Sequence, residues 1–416
     1  MKIAIIGGGA AGLMSVATLL EEGVSDEIHL FEKNEKLGIK VSISGGGRCN
    51  VTTGINDIND LLKNYTRGKD FIKPCMQFFP PRKVIEWFND HGLQLKTQSD
   101  NRVFPLSDRG QDVVDLFEFI FKNRVKVHLS EPIVSLKVNE DNKFHLMTNE
   151  KLYVVDIVVI ASGGNAYSHT GSSGDGYNFA KSCGHGITAL GPSLNSFEVK
   201  EAWCKRLQGI ALENAALKVT LNDQKIIVSG SVLFTHFGIT GPGTFSLSSQ
   251  LSFEEISNYN PYQCLLIPIH NMDYDRWNSK LLEDFKIGNT KQVRNIISKY
   301  FPKRFANIIL DLCEIDPEKT ASNILKDERK LLCKTLGDGL IISLVKRRAG
   351  DEFVTAGGVD ISEVDRKTMK SKIINNLYFA GEVLNVDGLT GGFNLQFAWA
   401  SGRLAGYNIA KAVKKR

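Results

Sequence analysis

The sequence has no C-x-x-C pair. Its seven cysteines, Cys49, Cys75, Cys183, Cys204, Cys264, Cys313 and Cys333, are odd in number and scattered. That pattern excludes a disulfide framework and a clustered zinc site, so no metal is expected, and it points to reduced cytoplasmic thiols. No run approaches the about 18 uninterrupted apolar residues of a membrane span, so no membrane partner is expected. The opening "MKIAIIGGGAAG" has a lysine and then apolar residues, but glycines interrupt it before a signal-peptide core develops. Neither charge dominates: Lys+Arg is 51 against Asp+Glu 46, a formal +5 over 416 residues. That balance is no nucleic-acid footprint, and no nucleic-acid partner is expected. There is no internal repeat and no low-complexity tract. The length implies two or three domains, and the oligomeric state stays open.

What the sequence does have is glycine in turns. "KIAIIGGGAAGLMSVATLLEEG" is an apolar run, then Gly7, Gly9 and Gly12 at G-x-G-x-x-G spacing, then a helical pattern. A second strand, "EIHLFEK", ends in Glu32, twenty residues past Gly12. Each part has a physical role in a dinucleotide site. Gly7 permits the tight turn, Gly9 lets the backbone approach a pyrophosphate, and Gly12 lets helix and strand pack closely. The helix start faces the phosphates, and Glu32 accepts from ribose hydroxyls and disfavours a 2′-phosphate. The motif alone does not separate FAD from NAD.

Three later stretches bear on that choice. In "KLGIKVSISGGGRCNVTT", Gly45, Gly46 and Gly47 precede Arg48, Cys49 and Asn50. Such a run can wrap the far side of a pyrophosphate, with Arg48 as a charged donor. "DIVVIASGG" reads as a buried parallel strand running into a turn, and "GSSGDGYNFA" starts a helix with Asp175 at its head. Asp175 is as readily a cap as a ligand. "NNLYFAGEVLNVDGLTGGFNLQFAWASGRLAG" is a strand, an acidic residue, a loop and a second glycine-rich helix start.

Together these stretches resemble the two-dinucleotide-binding-domain flavoproteins. More narrowly, the chain resembles the bacterial aminoacetone-oxidase-like or BaiN-like family of NAD(P)/FAD-dependent oxidoreductases. The matching segments include "ISGGGRCNVT", "RVFPLSDRGQDVVD", "TGSSGDGY", "LFTHFGITGPG", "TAGGVD" and "LYFAGEVLNVDGLTGGFNLQFAWASG", in order along nearly the whole chain. The resemblance implies an FAD cofactor reduced transiently by NAD(P)H. At the first turn it implies contacts from Gly7, Gly9, Ala10, Ala11 and Gly12, with Glu32 and Lys33 after the second strand. Gly45 to Asn50, and Ala161, Ser162, Gly163 and Gly164, follow in the next two turns. Gly381 and Glu382 would hold the ribityl chain. Gly391, Gly392, Phe393, Asn394 and Gln396 would place helix-start N–H groups at the pyrimidine edge of the flavin.

The expected fold class is α/β: a Rossmann-like FAD-binding domain with an inserted β-barrel-like domain and a small inserted helical domain. The FAD-binding domain is expected over 1–192 and 352–416. The β-rich insert is expected over 193–271 and 337–351, with "NDQ" as a hairpin turn, and the helical insert over 272–336. His236 in "FTHFGITGP" is the candidate acid/base group, with a structural packing role between Phe234 and Phe237 as the alternative. Cys49 lacks the second nearby thiol of a disulfide reductase and reads as a small buried residue. Arg102, Arg109, Tyr167 and His169 are weaker candidates. No second G-x-G-x-x-G marks a separate NAD(P) domain.

The leading functional expectation is an FAD-dependent oxidoreductase transferring hydride between flavin N5 and a small-molecule substrate, by amine oxidation or C=C reduction. The alternatives are an FAD-dependent RNA-modifying enzyme and a non-catalytic flavin sensor.

Overall fold

A computed structural model describes residues 1–348, 350 and 352–415. The chain divides into two compact units, Met1–Ser193 with the segment from Phe353 onward, and Leu194–Glu352.

The first unit is built on a five-stranded parallel sheet. Its strands are β1 (Lys2–Ile6), β2 (Glu27–Phe31), β3 (Lys126–His128), β4 (Ile157–Ile160) and β5 (Leu377–Phe379). Their spatial order is β5-β4-β1-β2-β3. β1 and β4 are almost wholly buried. Parallel strands covered on both faces need continuous apolar runs, which "IAII" and "IVVI" supply. Four helices matter for the site: α1 (Ala10–Glu21), α2 (Ile39–Ile43), α3 (Asp175–Ser182) and α4 (Phe393–Lys414).

α1 and α4 pack with very little between their backbones. A Cβ on Gly402 would lie 2.3 Å from the Ala11 carbonyl oxygen, and one on Gly406 2.7 Å from that of Ser15. The Ser15 hydroxyl donates to the Gly402 carbonyl at 3.1 Å. The last long helix is thereby locked to the first.

The second unit contains a closed six-stranded barrel, as the family resemblance implied. Its strand order is Phe197–Val199, Gly238–Thr240, Gln224–Phe234, Ala211–Leu221, Tyr262–Ile267 and Leu340–Arg347. The long hairpin turns at Asn222 and Asp223, whose φ values are 48° and 62°. Two successive left-handed residues match the right-handed twist of the flanking strands, and Asn and Asp tolerate that region. Helices Tyr274–Ile287, Val293–Ile297, Lys303–Leu312 and Lys326–Asp338 follow. They share one core with the barrel, in which Phe234, Leu266 and Ile342 join Trp277, Phe305 and Leu336. The expected boundary at 271/272 falls in the connection between Tyr262–Ile267 and Tyr274–Ile287, and that at 336/337 falls inside the helix Lys326–Asp338; residue 351 lies outside the described residues. Among the described residues no helix is long and apolar enough to cross a membrane.

Candidate functional site: a dinucleotide crevice

The turns leaving β1, β4 and β5 lie side by side at the carboxyl edge of the parallel sheet, where ligands of open α/β folds bind. Gly7 N–H donates to the Phe31 carbonyl at 2.8 Å. Gly7 has φ +111°, and a Cβ there would lie 2.5 Å from the Ala161 carbonyl oxygen. Only glycine fits between those turns. A Cβ on Gly12 would lie 1.9 Å from the Gly7 carbonyl oxygen, so the helix–strand approach also excludes a side chain. Gly9 differs: a Cβ there meets nothing within 4 Å. It is the N-cap of α1 and carries no side-chain cap. The helix start is therefore open to an anion from outside the protein.

Glu32 closes the other end of this turn. One carboxylate oxygen accepts from Gly8 N–H at 2.9 Å, and the other from Asn34 N–H and Nδ2 at 2.9 and 2.8 Å. Burial raises its pKa, while the bonds from Asn34 and Gly8 oppose that rise. The next residue, Lys33, pairs with Asp175 at the head of α3.

The "GGGRCN" turn behaves unevenly. Gly46 and Gly47 have φ values of 72° and 85°, and a Cβ on either meets nothing within 4 Å. Gly45, by contrast, sits against Asn50 and Phe104. The Arg48 guanidinium stacks 4.0 Å from the Phe104 ring centroid and lies 3.8 Å from Asp108. Asn50 accepts from Val103 N–H at 3.1 Å. Cys49 is fully buried, and desolvation pushes its thiol up to about 12. These three side chains hold the loop itself.

After β4, Ala161 N–H continues the sheet to the Ile6 carbonyl at 2.9 Å. The Ser162 hydroxyl is buried with no hydrogen-bond partner among the described residues. Gly163 has φ +77°, and Gly164 passes so close to Glu382 that a Cβ would lie 2.8 Å from its carboxylate. Glu382 accepts from Thr355 N–H at 3.0 Å and from Lys40 Nζ at 2.7 Å. The Thr355 hydroxyl in turn accepts from Asn165 N–H at 2.7 Å. Gly381 packs on Ala11, and its N–H donates to the Ser401 hydroxyl at 2.9 Å.

At the second glycine-rich start, Gly392 caps α4 with φ 89°. A Cβ on Gly391 would press into the Phe393 ring, and one on Gly392 would lie 2.4 Å from the Thr52 carbonyl oxygen. Gln396 N–H makes the bond to the Gly392 carbonyl at 2.9 Å. The N–H groups of Phe393, Asn394 and Leu395 lie ahead of it and are the helix-start donors. The sequence expectation therefore needs correction at Gln396. Its N–H is used inside the helix, and its fully buried side chain bonds Thr52 and the Phe79 carbonyl.

His236 lies in the barrel unit, on the turn from Gln224–Phe234 to Gly238–Thr240. It is exposed, and its ring meets Phe237 edge-on at 5.1 Å. Phe234 points into the barrel core instead of sandwiching the imidazole. Lys40, Thr52, Asn165 and Thr355 were not found by sequence reasoning. Each acts through a partner distant in the chain, and no local motif announces it.

An extended dinucleotide fits what these turns offer. Gly9, Gly46 and Gly47 leave open space beside the backbone, the Ser162 hydroxyl has no partner among the described residues, Glu32 is a fixed acceptor, and two helix starts carry no side-chain cap. The fold and the crevice define an FAD-dependent oxidoreductase with a Rossmann-type FAD-binding fold. The chain belongs to the family described as HI0933-like protein Rossmann domain, whose profile matches residues 1–408. It is 26% identical to the 3-dehydro-bile acid delta(4,6)-reductase of Clostridium scindens, over 99% of each chain. It is 28% identical to the ribosomal RNA dihydrouridine synthase of Escherichia coli, over 95% of each. Its fold is similar to that of 3-ketosteroid delta1-dehydrogenase from Sterolibacterium denitrificans. That match has a TM-score of 0.55 and 11% identity, over 99% of each chain.

Proposed function

We propose that the protein reduces a carbon–carbon double bond conjugated to a carbonyl in a small molecule, with NAD(P)H as transient electron donor. The observation that carries this reading is the crevice with its two uncapped helix starts, one suited to a pyrophosphate and one to a charged flavin edge. The names of the two relatives support the bond type. A delta(4,6)-reductase saturates a conjugated diene, and a dihydrouridine synthase saturates the uracil ring beside its carbonyl. Amine oxidation has no such support.

Bound FAD would supply hydride from its N5. In this reading Gly9 and the α1 start receive the pyrophosphate, and Glu32 accepts from the adenosine ribose. The N–H groups of Phe393, Asn394 and Leu395 would face the flavin's pyrimidine edge and favour negative charge there. His236, in the barrel unit, is the proposed acid/base group.

A ribosomal RNA substrate is the second reading, favoured by two relatives named as ribosomal RNA dihydrouridine synthases. The formal charge of +5 over 416 residues does not favour it.

The test is anaerobic. NADPH and then NADH are added to the flavin-loaded protein, followed by a 3-keto-4,6-diene steroid, uridine or ribosomal RNA. Bleaching by a nicotinamide and recovery with the steroid or uridine is the expected result. Recovery with RNA alone, with dihydrouridine found by mass spectrometry, selects the second reading. Bands that stay oxidised with both nicotinamides overturn the proposed donor.

A further inference from the structure

The FAD pyrophosphate brings negative charge into a crevice that already holds the carboxylates of Glu32 and Glu382. Like charges at close range in a partly desolvated site are costly unless a cation lies among them. The two cations that the sequence suggested are engaged by other side chains, Lys33 by Asp175 and Ser173, and Arg48 by Phe104 and Asp108.

Lys40 occupies the place that this electrostatic problem defines. Its helix, α2, begins after Gly38, whose N–H donates to the Gly8 carbonyl at 2.9 Å, so α2 is tied directly to the first glycine turn. Lys40 Nζ reaches Glu382 at 2.7 Å and the Ala166 carbonyl at 3.4 Å. It therefore stands where the turns after β1, β4 and β5 meet. An ammonium has three donors. One is used well by Glu382 and one weakly by Ala166, and the Lys40 side chain stays 28% exposed. A third donor is left for a ligand. The other Glu382 oxygen is fixed by Thr355 N–H, so the carboxylate cannot swing away and leave the lysine behind.

We propose that Lys40 is a cofactor-binding residue that meets the pyrophosphate of FAD, with Glu382 as the arm that holds it there. In the ligand-free chain the pair neutralises Glu382. In the loaded chain the same ammonium bridges the carboxylate and the phosphate, so neither anion faces the other unscreened. The inference rests on FAD being the ligand, and on no choice of substrate.

The experiment measures ligand affinity of flavin-stripped protein by fluorescence quenching, with FAD and with riboflavin, which carries no phosphate. Lys40→Met is expected to weaken FAD about ten- to hundredfold, the size of a lost charge-assisted hydrogen bond, and to leave riboflavin nearly unchanged. Lys40→Arg is expected to retain most of the FAD affinity. Lys40→Met alone strands a half-buried carboxylate, so the double variant Lys40→Met/Glu382→Gln is measured beside it. That variant should recover the melting temperature of the flavin-free wild type, which shows that the Lys40→Met loss of stability comes from the stranded carboxylate. The FAD and riboflavin comparison is read on Lys40→Met itself, because Glu382 is expected at the ribityl chain. Equal losses for FAD and riboflavin, or full FAD affinity in a folded Lys40→Met protein, would overturn the assignment. A folded wild-type protein that binds no FAD would instead sink the cofactor reading on which it stands.

Discussion

Asn394 and Gly388 close a ring across the loop that leads into α4. The Asn394 carboxamide oxygen accepts from Gly388 N–H at 2.9 Å, and its nitrogen donates to the Gly388 carbonyl at 2.8 Å. One side chain thus mimics a strand neighbour and fixes the approach to the helix start. Asn394→Leu removes both bonds, at about 1 kcal/mol each. A loss of about 2 kcal/mol in urea unfolding is expected, together with weaker FAD binding. An unchanged midpoint would show that the loop is held by other means.

Gly9 and Gly12 separate a ligand requirement from a packing requirement. Gly12→Ala puts a Cβ 1.9 Å from a backbone oxygen, with no flexible side chain to yield. It should destabilise the protein by about 3 kcal/mol or more, or prevent folding. Gly9→Ala meets nothing within 4 Å. Its effect on the flavin-free protein should be about 1 kcal/mol or less, the cost of a poorer N-cap. FAD affinity should nevertheless fall sharply. Melting curves with and without FAD distinguish the two.

Two buried histidines give stability a defined pH slope. Burial lowers the folded-state pKa of His185, against the pull of Glu363, and that of His29, against Glu27. A lowered folded value means that the unfolded chain binds protons first as pH falls. The stabilisation is whole above the unfolded value of about 6.5 and is lost as pH drops below it. Urea midpoints should therefore fall between pH 7.5 and pH 5. The slope should be shallower in His29→Gln/His185→Gln, and an equal slope would remove these rings as its source.

The thiols should be silent in the folded state. All seven cysteines are buried, and burial pushes Cys264 up to about 12 and Cys333 to about 11. A thiol reagent at pH 8 should find no fast-reacting group in native protein and seven after denaturation. A single fast thiol at Cys49 would contradict its burial.

The sequence was most informative where function and geometry are local. Gly7, Gly9, Gly12 and Glu32 could be read because strand, turn, helix and strand follow one another without interruption. The hairpin at Asn222 and Asp223 was legible for the same reason. The placement of Arg48 on Phe104 was not legible, because a run of left-handed glycines does not fix where the next side chain points. Gln396 was misassigned because a helix start reads the same whether or not its fourth N–H is already used. Lys40 and Glu382 are 342 positions apart, and their pairing exists only once the turns after β1 and β5 are side by side.

The central strand β1 begins at Lys2 and the edge strand β5 at Leu377, so one sheet is assembled from segments 375 positions apart. At roughly 5–20 residues per second, on the order of 20–75 s of translation separates the two. Throughout that interval the first glycine turn has no α4 to close it. A ribosome-stalled chain ending before Leu377 should neither retain flavin nor resist protease at α1. Flavin is therefore expected to be held only once Leu377 and the helix Phe393–Lys414 have been made.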